Sequence, residues 1–174
     1  PTPVTWIPCI KIKVGGTREE GALKRVAVTE VKDPGFELTH IIPDLPIALE
    51  GHTSLYTAEL GLLVCGGKDR RQIQQDACYT HKLSERKWRQ FRNQTSLFQT
   101  TVKRVHACVQ RIGDSIQIRG GTNFGNSNTI CHKSMEVLDL KNTTQGFLFA
   151  EIVQTTDCAH LLCVDQNEIT IPCP

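Results

Sequence analysis

Three short apolar segments of the chain each end in a pair of adjacent glycines. The segments are residues 10–14, 62–65 and 116–119, and the glycine pairs follow at residues 15–16, 66–67 and 120–121. After each pair come a polar loop, an alternating apolar and polar segment, a polar turn and an aromatic residue. Alternation with a period of two, short polar turns and the lack of a helical period indicate antiparallel β-strands. We therefore predict an all-β protein.

The same pattern recurs about every 54 residues. His52, His106 and His160 each open a further segment and are spaced 54 residues apart. A regular period of this length indicates a fold built from repeated supersecondary units. We predict one repeat domain over residues 1–174. Its units cover residues 10–51, 52–105 and 106–159, and residues 160–174 close against the first unit.

The second and third units resemble kelch repeats. The second contains LLVCGG followed by CYTHKLSERKW, and the third contains IQIRGG followed by MEVLDL. The resemblance implies a four-stranded propeller blade in which the double glycine closes the second strand and an aromatic pair, here Tyr79 and Trp88, follows. The first unit lacks its own opening strand, which the C-terminal stretch contains. The resemblance thus implies a first blade assembled from both ends of the chain.

Three units are fewer than the four to eight blades of ordinary propellers. Two chains in a homodimer would complete a six-bladed ring. A β-trefoil-like barrel is a second architecture, because it also consists of three units of four strands, and an unrelated β-sandwich is a third. The sequence leaves these alternatives open.

The chain contains eight cysteines, an even number that permits complete pairing. They are Cys9, Cys65, Cys78, Cys108, Cys131, Cys158, Cys163 and Cys173. No CxxC or zinc-finger spacing occurs, so disulfides explain them better than metal binding does. Two N-x-Thr acceptor sequences, at Asn93 and Asn142, also belong to the secretory pathway. We predict a secreted, disulfide-stabilised, N-glycosylated protein.

Repeat symmetry suggests which cysteines pair with each other. The expected pairs are Cys65 with Cys78, Cys108 with Cys131, Cys9 with Cys173, and Cys158 with Cys163. The first two would link strands within one unit, the third would join the chain ends, and the fourth would be local. Many other pairings remain open for eight cysteines.

The net charge is only +2, but the basic residues are concentrated in the middle of the chain. Residues 68–104 contain ten lysines and arginines against three acidic residues, and no lysine or arginine follows Lys141. Such a cluster attracts an acidic protein, a sulfated glycan or an anionic membrane surface, whereas nucleic acid is not expected outside the cell. The predicted binding residues are Lys68, Arg70, Arg71, Arg86, Lys87, Trp88 and Arg89.

The three repeated histidines suggest a metal site. If the units obey threefold symmetry, His52, His106 and His160 lie at equivalent points, where three imidazoles can hold zinc or copper. The alternative is that each histidine packs at the start of its own inner strand. Kelch-like copper-radical oxidases need tyrosines, of which this chain has two, and neither GxSxG nor HExxH occurs. We predict no catalytic residues and no cofactor.

These observations favour a secreted, non-enzymatic binding protein, either a cell-surface ligand or a host-directed effector. The loops after the glycine pairs, residues 17–24, 68–76 and 122–130, would form one recognition face on a rigid β scaffold. Its partner would be an extracellular protein or an anionic glycan. A glycan-binding lectin and a metal-dependent extracellular enzyme are the alternatives. No run of 18 apolar residues occurs, so no transmembrane segment is predicted.

Overall fold

A computed structural model describes residues 8–31, 42–90, 102–124, 129–152, 162–163 and 166–172. These residues form the predicted all-β structure, in which the one helical element is a 3₁₀ turn at Thr143–Gln145. The strands, in chain order, are β1 (Pro8–Val14), β2 (Thr17–Arg18), β3 (Gly21–Ala22), β4 (Val26–Val31), β5 (Thr53–Thr57), β6 (Gly61–Cys65), β7 (Cys78–His81), β8 (Arg89–Gln90), β9 (Cys108–Ile112), β10 (Ser115–Arg119), β11 (Thr122–Phe124), β12 (Thr129–Cys131), β13 (Ser134–Asp139), β14 (Leu148–Ile152) and β15 (Glu168–Pro172). In the described part of the chain, no helix has the length and apolar character needed to cross a bilayer.

Most of these strands belong to three antiparallel sheets that share one strand order. Sheet 1 has the order β15-β1-β4, sheet 2 the order β5-β6-β7-β8, and sheet 3 the order β9-β10-β13-β14. In each sheet the second strand ends directly before a glycine pair. The sheets are separate and open, so the described strands form neither a closed barrel nor a closed propeller ring.

Sheet 1 takes its strands from both ends of the chain. Strand β15 runs antiparallel to β1, with Glu168 opposite Lys13 and Ile171 opposite Ile10. In the other two sheets the strand at this position, β5 or β9, immediately precedes its partner in sequence. The C-terminal strand β15 therefore occupies the position in sheet 1 that β5 and β9 occupy in the other two sheets.

The glycine pairs turn the chain sharply at the strand ends. All six glycines have positive φ angles, which range from 60° at Gly15 to 101° at Gly16. Residues with a Cβ rarely adopt this conformation. A Cβ on Gly67 would also lie 2.7 Å from the carbonyl oxygen of Glu50. The pairs are therefore structural, because they permit both the turn and a close backbone approach.

The apolar core consists of two clusters, one on each face of sheet 2. Leu62 and Val64 of β6 lie in a first cluster with residues of β1 and β15, while Leu63 and Cys65 lie in a second with residues of β10 and β13. This alternation follows from the two-residue period of a strand, and all five residues of β6 are buried. Sheet 2 is therefore the middle layer of a three-sheet stack.

The outer face of sheet 1 is polar. Lys11 and Lys13 alternate along β1 with apolar residues of the core. The ammonium group of Lys11 lies 3.3 Å from a carboxylate oxygen of Glu30 and 3.9 Å from one of Glu168. Alternating charged positions are typical of a sheet face in contact with water. The outer side chains of β1 are therefore charged, although Val28 and Val31 of β4 are 42% and 53% exposed.

Two disulfides connect described residues. The Cys65–Cys78 bond joins β6 to β7 and confirms the predicted pair. Cys108 pairs instead with Cys163, 55 residues away, so the predicted pairings of Cys108 with Cys131 and of Cys158 with Cys163 are wrong. The C-terminal segment passes the start of β9, where the Cys163 amide donates to the carbonyl of His106 at 2.8 Å.

The remaining cysteines are described only in part. Cys131 is disulfide-bonded, and its partner is not Cys108. The predicted Cys9–Cys173 pair lies outside the described side chains, as does Cys158.

Candidate functional site

The loop that follows the second glycine pair, residues 68–76, folds around the buried side chain of Asp69. One carboxylate oxygen of Asp69 accepts hydrogen bonds from the amides of Arg71 (2.8 Å) and Ile73 (3.0 Å). The backbone of Asp69 also bonds to the amide of Gln72 and to the carbonyl of Ile73, each at 3.0 Å. These hydrogen bonds hold residues 68–76 in an ordered turn, which we call the Asp69 loop.

The Asp69 loop is bonded to the loop after the first glycine pair. That first loop is the β2–β3 hairpin, residues 17–22. The guanidinium Nε of Arg70 donates to the carbonyl of Ala22 at 2.9 Å. Two of the three predicted recognition loops are thus in direct contact.

The carboxylate of Glu50 forms a second connection between the two loops. It accepts hydrogen bonds from Thr17 of the hairpin (2.6 Å) and from Gln72 of the Asp69 loop (2.9 Å), and the Lys68 ammonium lies 3.7 Å away. Burial by itself would raise the pKa of Glu50, but these hydrogen bonds and the Lys68 charge hold its pKa below the ordinary value. Glu50 is therefore ionised and fixes both loops in place.

Residues 17–24 and 68–76 together form a surface that we call the loop face. Its exposed cationic residues are Arg18, Lys24, Arg70 and Arg71. The Arg71 side chain is 81% exposed and lies 3.9 Å from Asp69, too far and too solvated for a strong pair. For the other three cations, no ion pair is found within the described residues. The exposed acids are Glu19 and Glu20, so positive charge is in excess.

The third predicted loop, residues 122–130, begins as a hairpin of β11 and β12. Arg104, and not the loop face, connects this hairpin to sheet 2. The backbone carbonyl of Arg104 accepts from the Gly67 amide at 2.8 Å, and its guanidinium donates to the Gly120 carbonyl at 2.7 Å. Residues 125–128 at the tip of this hairpin lie outside the described residues.

The predicted basic cluster divides between the two ends of sheet 2. Strand β7 begins with Cys78 opposite Cys65, at the end of sheet 2 that carries the glycine pair, which we call the glycine end. It finishes with His81 opposite Leu62, at the other end. The turn that carries Arg86, Lys87 and Trp88 follows His81. These residues and Arg89 therefore lie one strand length away from Lys68, Arg70 and Arg71.

Trp88 is a core residue. It is only 9% exposed and belongs to the cluster between sheets 1 and 2. Its indole Nε1 donates to the Pro43 carbonyl at 2.8 Å, and its ring lies 5.3 Å from that of His81. A surface recess of about 490 Å³ is lined by residues 85–89, but Trp88 contributes little exposed area to it.

The repeated histidines do not occupy equivalent positions. Thr53 pairs with Cys65 directly before the second glycine pair, whereas Cys108 pairs with Arg119 directly before the third. The equivalent of His52 is therefore Ala107, and the equivalent of His106 is Gly51. Gly51 and His106 indeed share positive φ angles of 63° and 57°. The expectation of threefold-equivalent histidines is wrong for this pair.

His52 is enclosed where the first two glycine pairs meet. A Cβ on Gly15 would lie 2.9 Å from its ring, and one on Gly67 would lie 2.9 Å from its Cβ. Neither ring nitrogen has a hydrogen-bond partner of good geometry among the described residues. Burial lowers the pKa of His52 to about 4, and the charge of His106 acts in the same direction. The nearby Val14 and Leu49 carbonyls act in the opposite direction and raise the pKa. His52 is therefore neutral at physiological pH.

The described residues contain no group of three or more histidine, cysteine or acidic side chains placed to bind a metal ion. His160, the third histidine of the predicted metal site, lies outside the described residues.

Among the predicted glycosylation sites, Asn93 lies outside the described residues. Asn142 is exposed, and its side-chain oxygen accepts a hydrogen bond from Thr144 at 2.7 Å.

Sequence reasoning missed the two buried charges that organise this end of the molecule, Glu50 and Arg104. The available signal was a charged residue two positions before each of the histidines His52 and His106.

No protein-family model matches the chain, and no match was found among curated proteins.

Proposed function

We propose that the protein is an extracellular, non-enzymatic binding module that holds an anionic partner against its loop face. One observation carries this proposal: the Arg70–Ala22 hydrogen bond and the Glu50 carboxylate join two loops into a single surface with exposed cations. A surface that is ordered before binding loses little conformational freedom when a partner binds. Opposite charge on the partner would speed the encounter and select against cationic molecules.

We also propose that the three sheets derive from one kelch-like unit. The shared strand order, the glycine pair after each second strand and the C-terminal strand in sheet 1 support this origin. The units lie in a stack with sheet 2 in the middle. The loop face then lies on the edge of the stack that carries the glycine pairs.

The extracellular location is supported by the state of the cysteines. Within the described part of the chain, Cys65, Cys78, Cys108, Cys131 and Cys163 are disulfide-bonded and no cysteine is free. Disulfides persist in oxidising compartments and are rare in the cytosol. The exposure of Asn142 is compatible with an attached glycan, which lies on a turn after β13 and away from the loop face.

Binding of polyanions to matched charge variants tests the proposal. Immobilised heparin and immobilised polyglutamate serve as probes for the wild type, for the double variant Arg70→Ala/Arg71→Ala and for Arg86→Ala/Lys87→Ala. Both variants lose two exposed charges, but at opposite ends of sheet 2. We expect binding to at least one polyanion and a loss of about tenfold or more in the first variant only. Equal losses in the two variants, or no binding by the wild type, would contradict the proposal.

A further inference from the structure

Two further exposed lysines lie at the glycine end of the stack. Lys103 precedes Arg104, whose backbone is bonded to Gly67. Lys133 follows His132, and the imidazole Nε2 of His132 lies 3.0 Å from the Lys103 carbonyl. The backbones that carry the two lysines are thus held close together. Neither ammonium group forms an ion pair with another described residue.

The exposed cations at this end extend over all three sheets. Arg18 follows the glycine pair of sheet 1, Arg70 and Arg71 follow that of sheet 2, and Lys103 and Lys133 lie beside that of sheet 3. Stacked sheets are about 10 Å apart, so the cations extend over roughly 20 Å. We call these five residues the cationic track.

The loop face lacks the side chains on which protein–protein interfaces depend. Its one exposed large apolar side chain among the described residues is Ile73, at 46% exposure, and it carries no aromatic residue. Interfaces between proteins concentrate their binding energy in aromatic and other well-packed anchors. Arginine is common both at such interfaces and in sites for anionic ligands, so the lack of aromatic anchors decides between the two. The composition of this face therefore favours a ligand held by charge along its length over a folded protein.

Arg70 has the geometry to bind an oxyanion. Its Nε is occupied by the Ala22 carbonyl, which fixes the direction of the guanidinium plane. Arginine has five N–H donors, and no hydrogen bond of the two terminal amino groups is found within the described residues, so these groups are available to a ligand. Two parallel N–H donors match two oxygens of a sulfate or carboxylate group, and the restrained plane reduces the entropy lost on binding.

We propose that the ligand of the loop face is a linear sulfated polysaccharide that lies along the cationic track. Its sulfate groups are bound by the Arg70 guanidinium and by the neighbouring Arg71, and further sulfates reach Lys103 and Lys133 on sheet 3. The inference rests on the proposed function and adds the class of ligand. Binding of such a polyanion releases counterions, so its affinity falls steeply with salt.

The experiment compares four probes by affinity and salt dependence: heparin, heparin from which the sulfates have been removed, polyglutamate, and vesicles rich in phosphatidylserine. The wild type is measured beside Arg70→Ala/Arg71→Ala, Lys103→Ala/Lys133→Ala and the control Arg86→Ala/Lys87→Ala. The lysine pair makes no described side-chain bond, so its variant tests the track even if loss of Arg70 disturbs the hairpin. An unchanged thermal unfolding midpoint identifies variants with an intact fold.

We expect heparin to bind more tightly than the other three probes. Each track variant should lower the slope of log affinity against log salt by about one per removed cation, and the control variant should leave the slope unchanged. If polyglutamate, desulfated heparin or the vesicles bind as tightly as heparin through the same residues, the sulfated ligand is wrong and the proposed function stands. If binding of none of the probes depends on the residues of the cationic track, the sulfated ligand and the proposed function are both wrong.

Discussion

Arg104 forms four hydrogen bonds in a site that is almost closed to water. Its guanidinium donates to Glu136 (2.8 Å), to the Gly120 carbonyl (2.7 Å), and to the carbonyl and hydroxyl of Ser134 (3.2 and 2.7 Å). The side chains of Arg104 and Glu136 are 2% and 0% exposed. Removal of one partner leaves a buried charge without compensation, which is far more costly than the loss of a surface pair.

We therefore predict that Arg104→Ala lowers the free energy of unfolding by about 3–5 kcal/mol. The matched control is Arg111→Ala, which removes a two-bonded pair with Glu59 at 2.8 Å between side chains that are 34% and 40% exposed. The control should cost at most about 1 kcal/mol, because water screens an exposed pair. Urea unfolding of both variants measures the difference. Similar losses would contradict the role of the buried pair.

His52 makes the stability of the protein depend on pH. Its pKa is about 4 in the folded protein and about 6.5 when exposed, so the unfolded chain binds a proton first as the pH falls. The stability due to neutral His52 is thus fully present above pH 6.5 and is lost progressively toward pH 4. This contribution amounts to about 3 kcal/mol over that range.

A His52→Gln variant isolates this effect, since glutamine does not titrate. The drop in unfolding free energy between pH 7 and pH 4, measured by urea unfolding, should be smaller in the variant than in the wild type by about 3 kcal/mol. Contributions from carboxylates and from His132, whose pKa burial also lowers, are common to both proteins. Parallel curves for the two proteins would show that His52 does not titrate as the structure implies.

At the scale of the elements, the alternating segments of the sequence predicted the strands that flank each glycine pair. The turns between strands set a limit on this prediction. The β5–β6 hairpin has three residues between Thr57 and Gly61, whereas the β9–β10 hairpin has two between Ile112 and Ser115. Because the β5–β6 turn has one residue more, every position before it is shifted by one relative to sheet 3. A constant spacing of 54 residues therefore aligned His52 with His106 instead of with Ala107.

The glycine pairs provide a direct test at this scale. Gly67 has a φ of 84°, and an added Cβ would meet the Glu50 oxygen at 2.7 Å, whereas Gly113 has a φ of 58° and open space around it. We expect Gly113→Ala to cost about 1–2 kcal/mol for the left-handed conformation alone. Gly67→Ala should cost clearly more, because backbone atoms must also move. Thermal unfolding of both variants measures this, and a Gly67 variant as stable as the Gly113 variant would refute the close approach.

The whole molecule depends on contacts that no local pattern reveals. The sequence predicted the all-β class, the Cys65–Cys78 bond and the loops that carry Arg70 and Arg71. It did not separate Arg70 from Lys87, which are near in sequence and lie at opposite ends of sheet 2, because the direction of β7 determines their distance. Nor did it predict the Cys108–Cys163 bond, which depends on the path of the C-terminal segment.

The stack also bears on the oligomeric state. Sheet 2 is buried on both faces, and the outer face of sheet 1 carries Lys11 and Lys13. The opposite end of the stack exposes Ile112, Leu148 and Phe149 of sheet 3, but a ring of two chains would have to cover both ends and bury the two lysines of sheet 1. We therefore expect a monomer of 19.4 kDa polypeptide mass by light scattering after removal of any glycans. A stable dimer would contradict this expectation.

In the proposed function, two loops from different sheets form one surface that binds an anionic partner. Hydrogen–deuterium exchange with and without bound heparin tests it most directly, because each loop yields its own peptides. We predict slower exchange in residues 17–24 and 68–76 together, and no change in residues 82–88 at the opposite end of sheet 2. Slower exchange in residues 82–88, with the other two segments unchanged, would show that the ligand binds at the opposite end of sheet 2 and not on the loop face.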